Sequence, residues 1–550
     1  MRRFDRPRLA RFLSEASGAR EVRLSAPELL AGGAIQENWG FAAHLAGGAF
    51  AGRHRLVLRT EAATGVGSSL GRVEEFAVQR AALAAGVTVA EPLWACADPQ
   101  VIGTPFFVMR RVPGTAQGRE ITANPALEPH LPAVAARLGE ELARIQAIRP
   151  PRPGLGFLPH IDAARHIAFF RAYLDGHPNP RPVLEWAIRW LERHLPEPLP
   201  PVLCHRDFRT GNYMLAPSPT FPRLPGSEGR GATGAELTAI LDWEFAGWGD
   251  PDEDIGWFCC KGWRFARLDR EAGGIAARDM FYRAYEAASG RRLDPERMRF
   301  WEVLANVRWA VIALQQSDRF LIQGARDLAT AIIGRRATEC DLELLMLLDP
   351  EKAASPPAGE RAGVRGQSTM PLQAPSPGSP LPGRAILSRT AGEEPTTTIG
   401  LDPIRDLPSG AGLLALGREL LLREILPLLP SERHRAVRLV ATAMAIAERE
   451  AEAGEAPARE IAALLGDLYG EAGDAARASR PTDGQDARRP EDARACGDGL
   501  MHRFAADLRA GAFDRCESRK QKARAILWRL TILKLREGNP GFLAANGFGE

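Results

Sequence analysis

The stretch that decides the fold is VLCHRDFRTGNYML, residues Val202 to Leu215. An apolar, strand-like run delivers His205, Arg206 and Asp207, and Asn212 follows five residues after the aspartate. This is the H-x-D-x-x-x-x-N spacing of a catalytic loop. A carboxylate and a carboxamide one short loop apart suit phosphoryl transfer, which asks little covalent chemistry of a protein. One side chain receives the acceptor hydroxyl's proton and another holds a metal. The spacing predicts Asp207 in the first role and Asn212 in the second. His205 is expected to brace the loop and not to move protons.

Downstream, LTAILDWEFAGWGDPDEDIGWF begins at Leu237. Ile240 and Leu241 read as the end of a buried strand, which places Asp242 where a metal-binding carboxylate belongs. Glu244 adds a second carboxylate two residues on. Gly247, Gly249 and Pro251 form a turn, and Asp254 enters a helix with Ile255, Trp257 and Phe258, either capping it or supporting the catalytic loop. A lone HRD tripeptide is commonly a surface turn. Joined in order to Asn212 and to a strand-ending aspartate, it reads as a site.

Upstream, Arg55–Arg59 (RLVLR) and Pro105–Arg110 (PFFVMR) read as short strands, and Val73–Ala85 (VEEFAVQRAALAA) has helical spacing. From Leu131 on, amphipathic helices dominate, with further ones near Arg278–Ala288 and Trp301–Leu314. A small sheet lobe precedes a larger helical lobe. Residues 350–408 are rich in Pro, Gly, Ser and Thr and too poor in large apolar side chains to offset their ordering entropy, so a flexible linker is expected there. Ala216–Ala235 has similar composition and reads as a surface loop within the first domain. Residues 409–550 read as a separate all-α domain. Leu413, Leu416, Leu420 and Ile425 make one stripe, Val437, Val440 and Met444 a buried face, and Ala523, Ile526, Leu530 and Leu533 a third stripe.

Bulk properties bound the function. A chain of 550 residues, 45% hydrophobic and 25% charged, is a globular protein of more than one domain. Seventy-one Lys and Arg nearly balance 68 Asp and Glu, leaving +3, so no global field points to nucleic acid or an anionic membrane. Seven scattered cysteines without CxxC spacing fit neither a disulfide framework nor a zinc site. No apolar run reaches the length of a membrane span, and the basic start lacks the apolar region of a secretory signal. A cytoplasmic location is the expectation.

CHRDFRTGN followed by ILDWEFAGWGDPDEDIGW resembles the aminoglycoside phosphotransferase and choline kinase superfamily, in particular its acyl-CoA-dehydrogenase-associated phosphotransferase branch, over roughly residues 20 to 345. The resemblance implies an α+β, two-lobed protein-kinase-like fold over residues 1–349, with an N-lobe to about 112 and a C-lobe from about 113. It implies ATP and magnesium as cofactors and a small hydroxylated acceptor. Gly32 and Gly33, with Gln36 to Trp39, resemble the family's nucleotide-covering loop. Glu75 in VEEF resembles the helix carboxylate that pairs with the nucleotide-binding cation, and VIGTPFFVMRRVPG resembles the strand and hinge that lead to the second lobe. The family usually has Lys at the position of Arg59; an arginine keeps the charge and grips phosphate bidentately, with altered geometry. Asp242 takes the metal-binding position, with His205, Glu244 and Asp254 in support. A protein acceptor is disfavoured because no A-P-E segment follows Asp242.

Other readings stand beside this one. Replacement of the usual Lys leaves open a nucleotide-binding pseudokinase. Gly67, Ser69 and Gly71 satisfy the G-x-S-x-G pattern of serine hydrolases, but a polar stretch separates them from the preceding strand, and a connection into the Glu75 helix is the better reading. The C-terminal helices resemble a domain of unknown function that accompanies such phosphotransferases. They carry no comparable constellation, and they leave open self-association, a protein partner or a scaffold role. The basic residues of the last long helix read as a solvated face.

Overall fold

The computed structural model describes residues 5–30, 36–61, 69–218, 234–265, 267–321, 328–354, 410–470 and 490–548. They fall into two compact units, Met1–Ile312 with Phe504–Ala512 and Ala313–Arg503 with Phe513–Glu550.

The first unit opens with α1 (Arg6–Ser17), β1 (Glu21–Leu24), β2 (Glu28–Leu29), β3 (Gln36–Ala46), β4 (Gly52–Glu61), α2 (Arg72–Ala84), β5 (Pro92–Cys96) and β6 (Phe106–Arg110). The strands form a six-stranded sheet in the order β1-β3-β4-β6-β5, with β2 also on β3, and every pairing is antiparallel. Strand β4 contains the expected RLVLR and lies between β3 and β6. Both its faces are covered, so Leu56 to Thr60 are buried without interruption. Leu56 and Leu58 join Leu9 and Leu13 of α1, while Val57 joins Phe107 and Met109 with Phe76 of α2 against them. Side chains alternate along a strand, so Arg59 shares the Val57 face, toward α2.

The second lobe contains α3 (Gly118–Ala123), α4 (Leu131–Gln146), α5 (Ala163–Asp175), α6 (Pro182–Arg193), β7 (Val202–Cys204), β8 (Tyr213–Ser218), β9 (Gly234–Ile240), β10 (Gly247–Gly249), α7 (Glu253–Cys259), α8 (Arg278–Ser289) and α9 (Pro295–Leu321). Val134, Leu138, Leu142 and Ile145 recur at three- and four-residue intervals on α4 and are fully buried. Gly139 lets α8 approach closely, since a Cβ there would lie 2.5 Å from the carbonyl oxygen of Phe281. The resulting core also takes in Leu203 and Phe208, on either side of His205–Asp207, and Ile255 and Phe258 of α7. Burial of each such side chain stabilises the fold by about 1.5–3 kcal/mol, and here it anchors both ends of the catalytic-loop segment.

The second unit is built of helices: the end of α9, α10 (Leu328–Arg335), α11 (Ala337–Leu348), α12 (Pro350–Ala354), α13 (Gly410–Leu420), α14 (Ser431–Ala453), α15 (Ala456–Tyr469), the part of α16 (Pro490–Ala510) up to Arg503, α17 (Glu517–Gly538) and α18 (Pro540–Ala545). Ala523, Ile526, Leu530 and Leu533 of α17 are buried, as their spacing suggests. Leu342, Leu344 and Leu345 of α11 are buried too, and the Trp528 indole donates to Asp349 Oδ2 at 3.1 Å. The compact units thus divide at Ile312/Ala313, whereas the sequence reading drew its first boundary at 349, and most of the 350–408 segment lies outside the described residues. Two stripes depart from expectation. Leu413 and Leu416 are each 58% exposed, and on α14 the buried residues are Ala441 and Ile446 while Val440 is 41% exposed. Apolar side chains cover much of the α14 circumference from Ala436 to Ala447, so spacing alone does not select the face that is covered. Among the described residues no helix is long and apolar enough to cross a membrane.

Candidate active site

Strand β7 ends at Cys204, and the chain turns sharply at Arg206, whose φ of 62° is left-handed. That turn aims two consecutive backbone N–H groups at one carboxylate: His205 N donates to Asp254 Oδ2 at 2.6 Å and Arg206 N to Asp254 Oδ1 at 2.7 Å. A left-handed non-glycine residue costs on the order of 1 kcal/mol, which two hydrogen bonds to one buried carboxyl group offset. The Arg206 guanidinium folds back to donate to the Trp248 carbonyl at 2.8 Å, across Gly247, where a Cβ would lie 2.2 Å from Nη1. Asp254 therefore supports the loop and is not its own helix's cap. Burial, and then the charge of Glu253, push its carboxyl up to about 7. Burial would raise Glu253 as well, but Arg206, His166 and Arg308 outweigh it and hold that carboxyl at about 2.

His205 is fully buried, accepts the Asp207 N–H at Nδ1 (3.2 Å), and so donates from Nε2 to the Leu241 carbonyl at 2.9 Å. Burial lowers its pKa, which keeps the ring neutral in this arrangement. It ties the two motifs together and has no free proton to move. The Asp207 carboxylate receives three donors. Arg209 Nε and Trp257 Nε1 reach Oδ1 at 2.9 and 3.0 Å, and Asn212 Nδ2 reaches Oδ2 at 2.5 Å. Trp257 lies one helical turn after Asp254 on α7, so a single helix face holds both the loop's backbone and its carboxylate.

The hairpin β8–β9 pairs Tyr213 with Ile240, and Leu241 N donates to the Asn212 carbonyl at 2.8 Å. Asn212 and Asp242 are thereby set on adjacent strand ends. Asp242 is left-handed (φ 68°) and lies against β4 and α2. Arg59 Nη2 pairs with Asp242 Oδ1, and Arg59 Nε donates to Glu75 Oε2 at 3.0 Å. Glu75 shares the buried face of α2 with Val78 and Ala82 and needs a cation there. Arg72 supplies a second one, pairing through Nη1 with Glu75 Oε2 and lying 3.8 Å from Glu244 Oε2. Burial alone would lower the Arg59 pKa, but Glu75 and Asp242 hold it above the ordinary arginine value. Burial would raise Asp242, and Arg59 outweighs it, so its carboxyl stays below the usual range.

Among the described residues no cluster of three or more His, Cys, Asp or Glu side chains is placed to hold a metal. Asn212 and Asp242 nevertheless fit magnesium, which binds few protein oxygens and completes its shell with phosphates and water. The Asn212 amide nitrogen is committed to the Asp207 backbone and carboxylate, so its carbonyl oxygen is turned away from Asp207. Asp242 leaves 26% of its side chain exposed.

The structure therefore gathers Arg59, Glu75, His205, Asp207, Asn212, Asp242, Glu244 and Asp254 around one place. Gly32 and Gly33 lie outside the described residues. Ser69 follows the end of β4 at Glu61 by eight residues, so it does not stand at the immediate end of a strand as a nucleophile elbow requires, and it lies two residues before the Gly71 cap of α2. Sequence reasoning missed Arg72, Arg209 and Trp257 as site residues. The i, i+3 relation of Asp254 to Trp257 was a usable signal; nothing local marks the two arginines.

Residues 50–301 match the Phosphotransferase enzyme family. Acyl-CoA dehydrogenase family member 10 of Mus musculus is 29% identical over 215 residues, 37% of this chain and 18% of that protein. Acyl-CoA dehydrogenase family member 11 of Gallus gallus is 31% identical over 190 residues, 33% of this chain and 22% of that protein. The matched stretch spans about a fifth of the length of these curated relatives. Among solved structures, a choline/ethanolamine kinase family protein from Mesorhizobium loti superposes with a TM-score of 0.39 at 18% identity, covering 63% of this chain and 95% of that one.

Proposed function

We propose, from the match of residues 50–301 to the phosphotransferase enzyme family, that this chain moves the γ-phosphate of ATP to a hydroxyl of a small molecule with magnesium as cofactor. The observation that carries the reading is the joining of His205–Asn212 to Asp242 through the Leu241 bonds, opposite a buried Arg59–Glu75 pair. Asp207 receives the acceptor's proton as its hydroxyl attacks. Trp257 and Arg209 fix the carboxylate's plane, and Asn212 fixes its second oxygen. Arg59 holds the nucleotide phosphates while Glu75 orients the guanidinium. Asn212 and Asp242 would hold magnesium, which when bound neutralises charge on the phosphates. Asp254 and His205 act through the loop they hold.

ATP consumption across a panel of small hydroxylated metabolites, with the phosphorylated product identified by mass, tests the activity. Asp207→Asn, which keeps the shape and removes the base, should lower turnover about a hundredfold or more while sparing ATP binding. Turnover within about threefold of wild type would remove Asp207 from the role of base. Saturable ATP binding without transfer to any acceptor would favour a nucleotide sensor, a reading supported by the arginine that engages Asp242 directly.

A further inference from the structure

We infer that Arg72 is a positioning residue of the nucleotide site: it shares the charge of Glu75 and carries that of Glu244, so that Arg59, still held at Nε by Glu75, can turn its Nη2 from Asp242 and Glu244 to a phosphate. The inference rests on the phosphotransferase reading above and adds a residue outside its motifs. Arg72, Glu75 and Glu244 are each 1% exposed and Arg59 is 6% exposed, so none of the four is neutralised by water. The two guanidiniums share both carboxylates. Arg59 Nε and Arg72 Nη1 meet at Glu75 Oε2, while Arg59 Nη2 lies 4.0 Å from Glu244 Oε1 and Arg72 Nη2 lies 3.8 Å from Glu244 Oε2.

With Asp242 the group holds three anions and two cations. If Arg59 turns to a phosphate, Arg72 still faces both glutamates. Without Arg72, Arg59 would be their only cation among these five groups, and a buried carboxylate stripped of its partner is costly enough to hold that cation back. The location of Arg72 agrees with a role outside the helix that carries it. It is the first residue of α2, after the Gly71 cap, where the helix dipole disfavours a positive charge. Its Nη2 donates to the Leu70 carbonyl at 2.6 Å, and Leu70 N donates to the Glu244 carbonyl at 2.7 Å, so the same arginine fastens the start of α2 to the segment after Asp242.

Calorimetric titration of ADP with magnesium into the full chain tests this on wild type, Arg72→Gln, Glu244→Gln and the double variant. Arg72→Gln should weaken binding about tenfold, and adding Glu244→Gln should bring the constant back to within about threefold of Glu244→Gln alone, because removing the surplus carboxylate frees Arg59. A merely structural arginine would not be rescued in this way. Binding by Arg72→Gln within about twofold of wild type, or losses that multiply in the double variant, would overturn the inference. Should Arg72→Gln fail to fold, Arg72→Lys takes its place: a loss of threefold or more that Glu244→Gln relieves supports the role, and an unchanged constant refutes it. If wild type binds no magnesium ADP, the nucleotide-site reading itself falls, and this inference with it.

Discussion

Replacing Asp254 by asparagine should remove the loss of stability that this carboxyl causes between pH 3.8 and about 7. The carboxyl rises from 3.8 to about 7 in the folded chain, so the fold binds its proton more tightly than the unfolded chain does. Its contribution is therefore complete below pH 3.8 and lost as pH climbs to about 7. That interval is worth about 4 kcal/mol. Asparagine stays neutral throughout but offers one oxygen where two backbone N–H groups converge, a loss of about 2 kcal/mol at any pH. Stability curves of the two proteins should therefore cross, with wild type more stable at pH 5 and the variant at pH 8. An acid limb below 4.5 comes from Glu253, whose depressed carboxyl contributes stability that is present above 4.5 and lost as pH falls toward 2, together with other depressed carboxylates such as Asp242, and both proteins should show it. Urea unfolding followed by tryptophan fluorescence at pH 5, 6.5 and 8 measures this directly. At pH 8 the variant should also turn over about tenfold more slowly, since the loop bearing Asp207 loses a backbone anchor. Parallel stability curves across the pH series would refute the assignment of Asp254 as the titrating support.

Asp242→Ala should abolish the magnesium dependence of nucleotide binding, because one of two protein ligands disappears; calorimetry with and without magnesium checks it, and unchanged dependence removes Asp242 from the metal site. A fragment of residues 313–550 should melt cooperatively, whereas residues 409–550 alone should not, because α17 then loses α11 and the Asp349 acceptor of Trp528. Equal thermal transitions by circular dichroism in both fragments would show that α11 is dispensable.

What was legible in the sequence was whatever a short run of chain defines by itself. His205, Asp207 and Asn212 share one loop, Asp242 ends one strand, and α2 and β4 announce themselves by period, so residues that meet across the site could be paired by role. Arg72 was invisible because its meaning depends on Glu244, which lies far along the chain and only two residues beyond Asp242. Arg209 reads as an ordinary loop cation until Trp263 is found 4.5 Å beneath it and Asp207 beside it. The helical unit was harder. A stripe such as Leu413–Leu416–Leu420 fixes which residues share a face but not whether a neighbour covers it, and α11 reads as the end of one domain while its leucines are buried in the other unit.

The β8–β9 hairpin has a use beyond the chemistry at its base. Its register is set at the Tyr213–Ile240 end, where Asn212 and Asp242 emerge, whereas Ser218 and Gly234 pair at the other end, about 17 Å along the strands. Changes in the chain between residues 218 and 234 are therefore insulated from the site by a ladder of backbone bonds. The Ser218 and Gly234 ends of the strands are attachment points for a fluorophore or an affinity handle that leaves the site undisturbed.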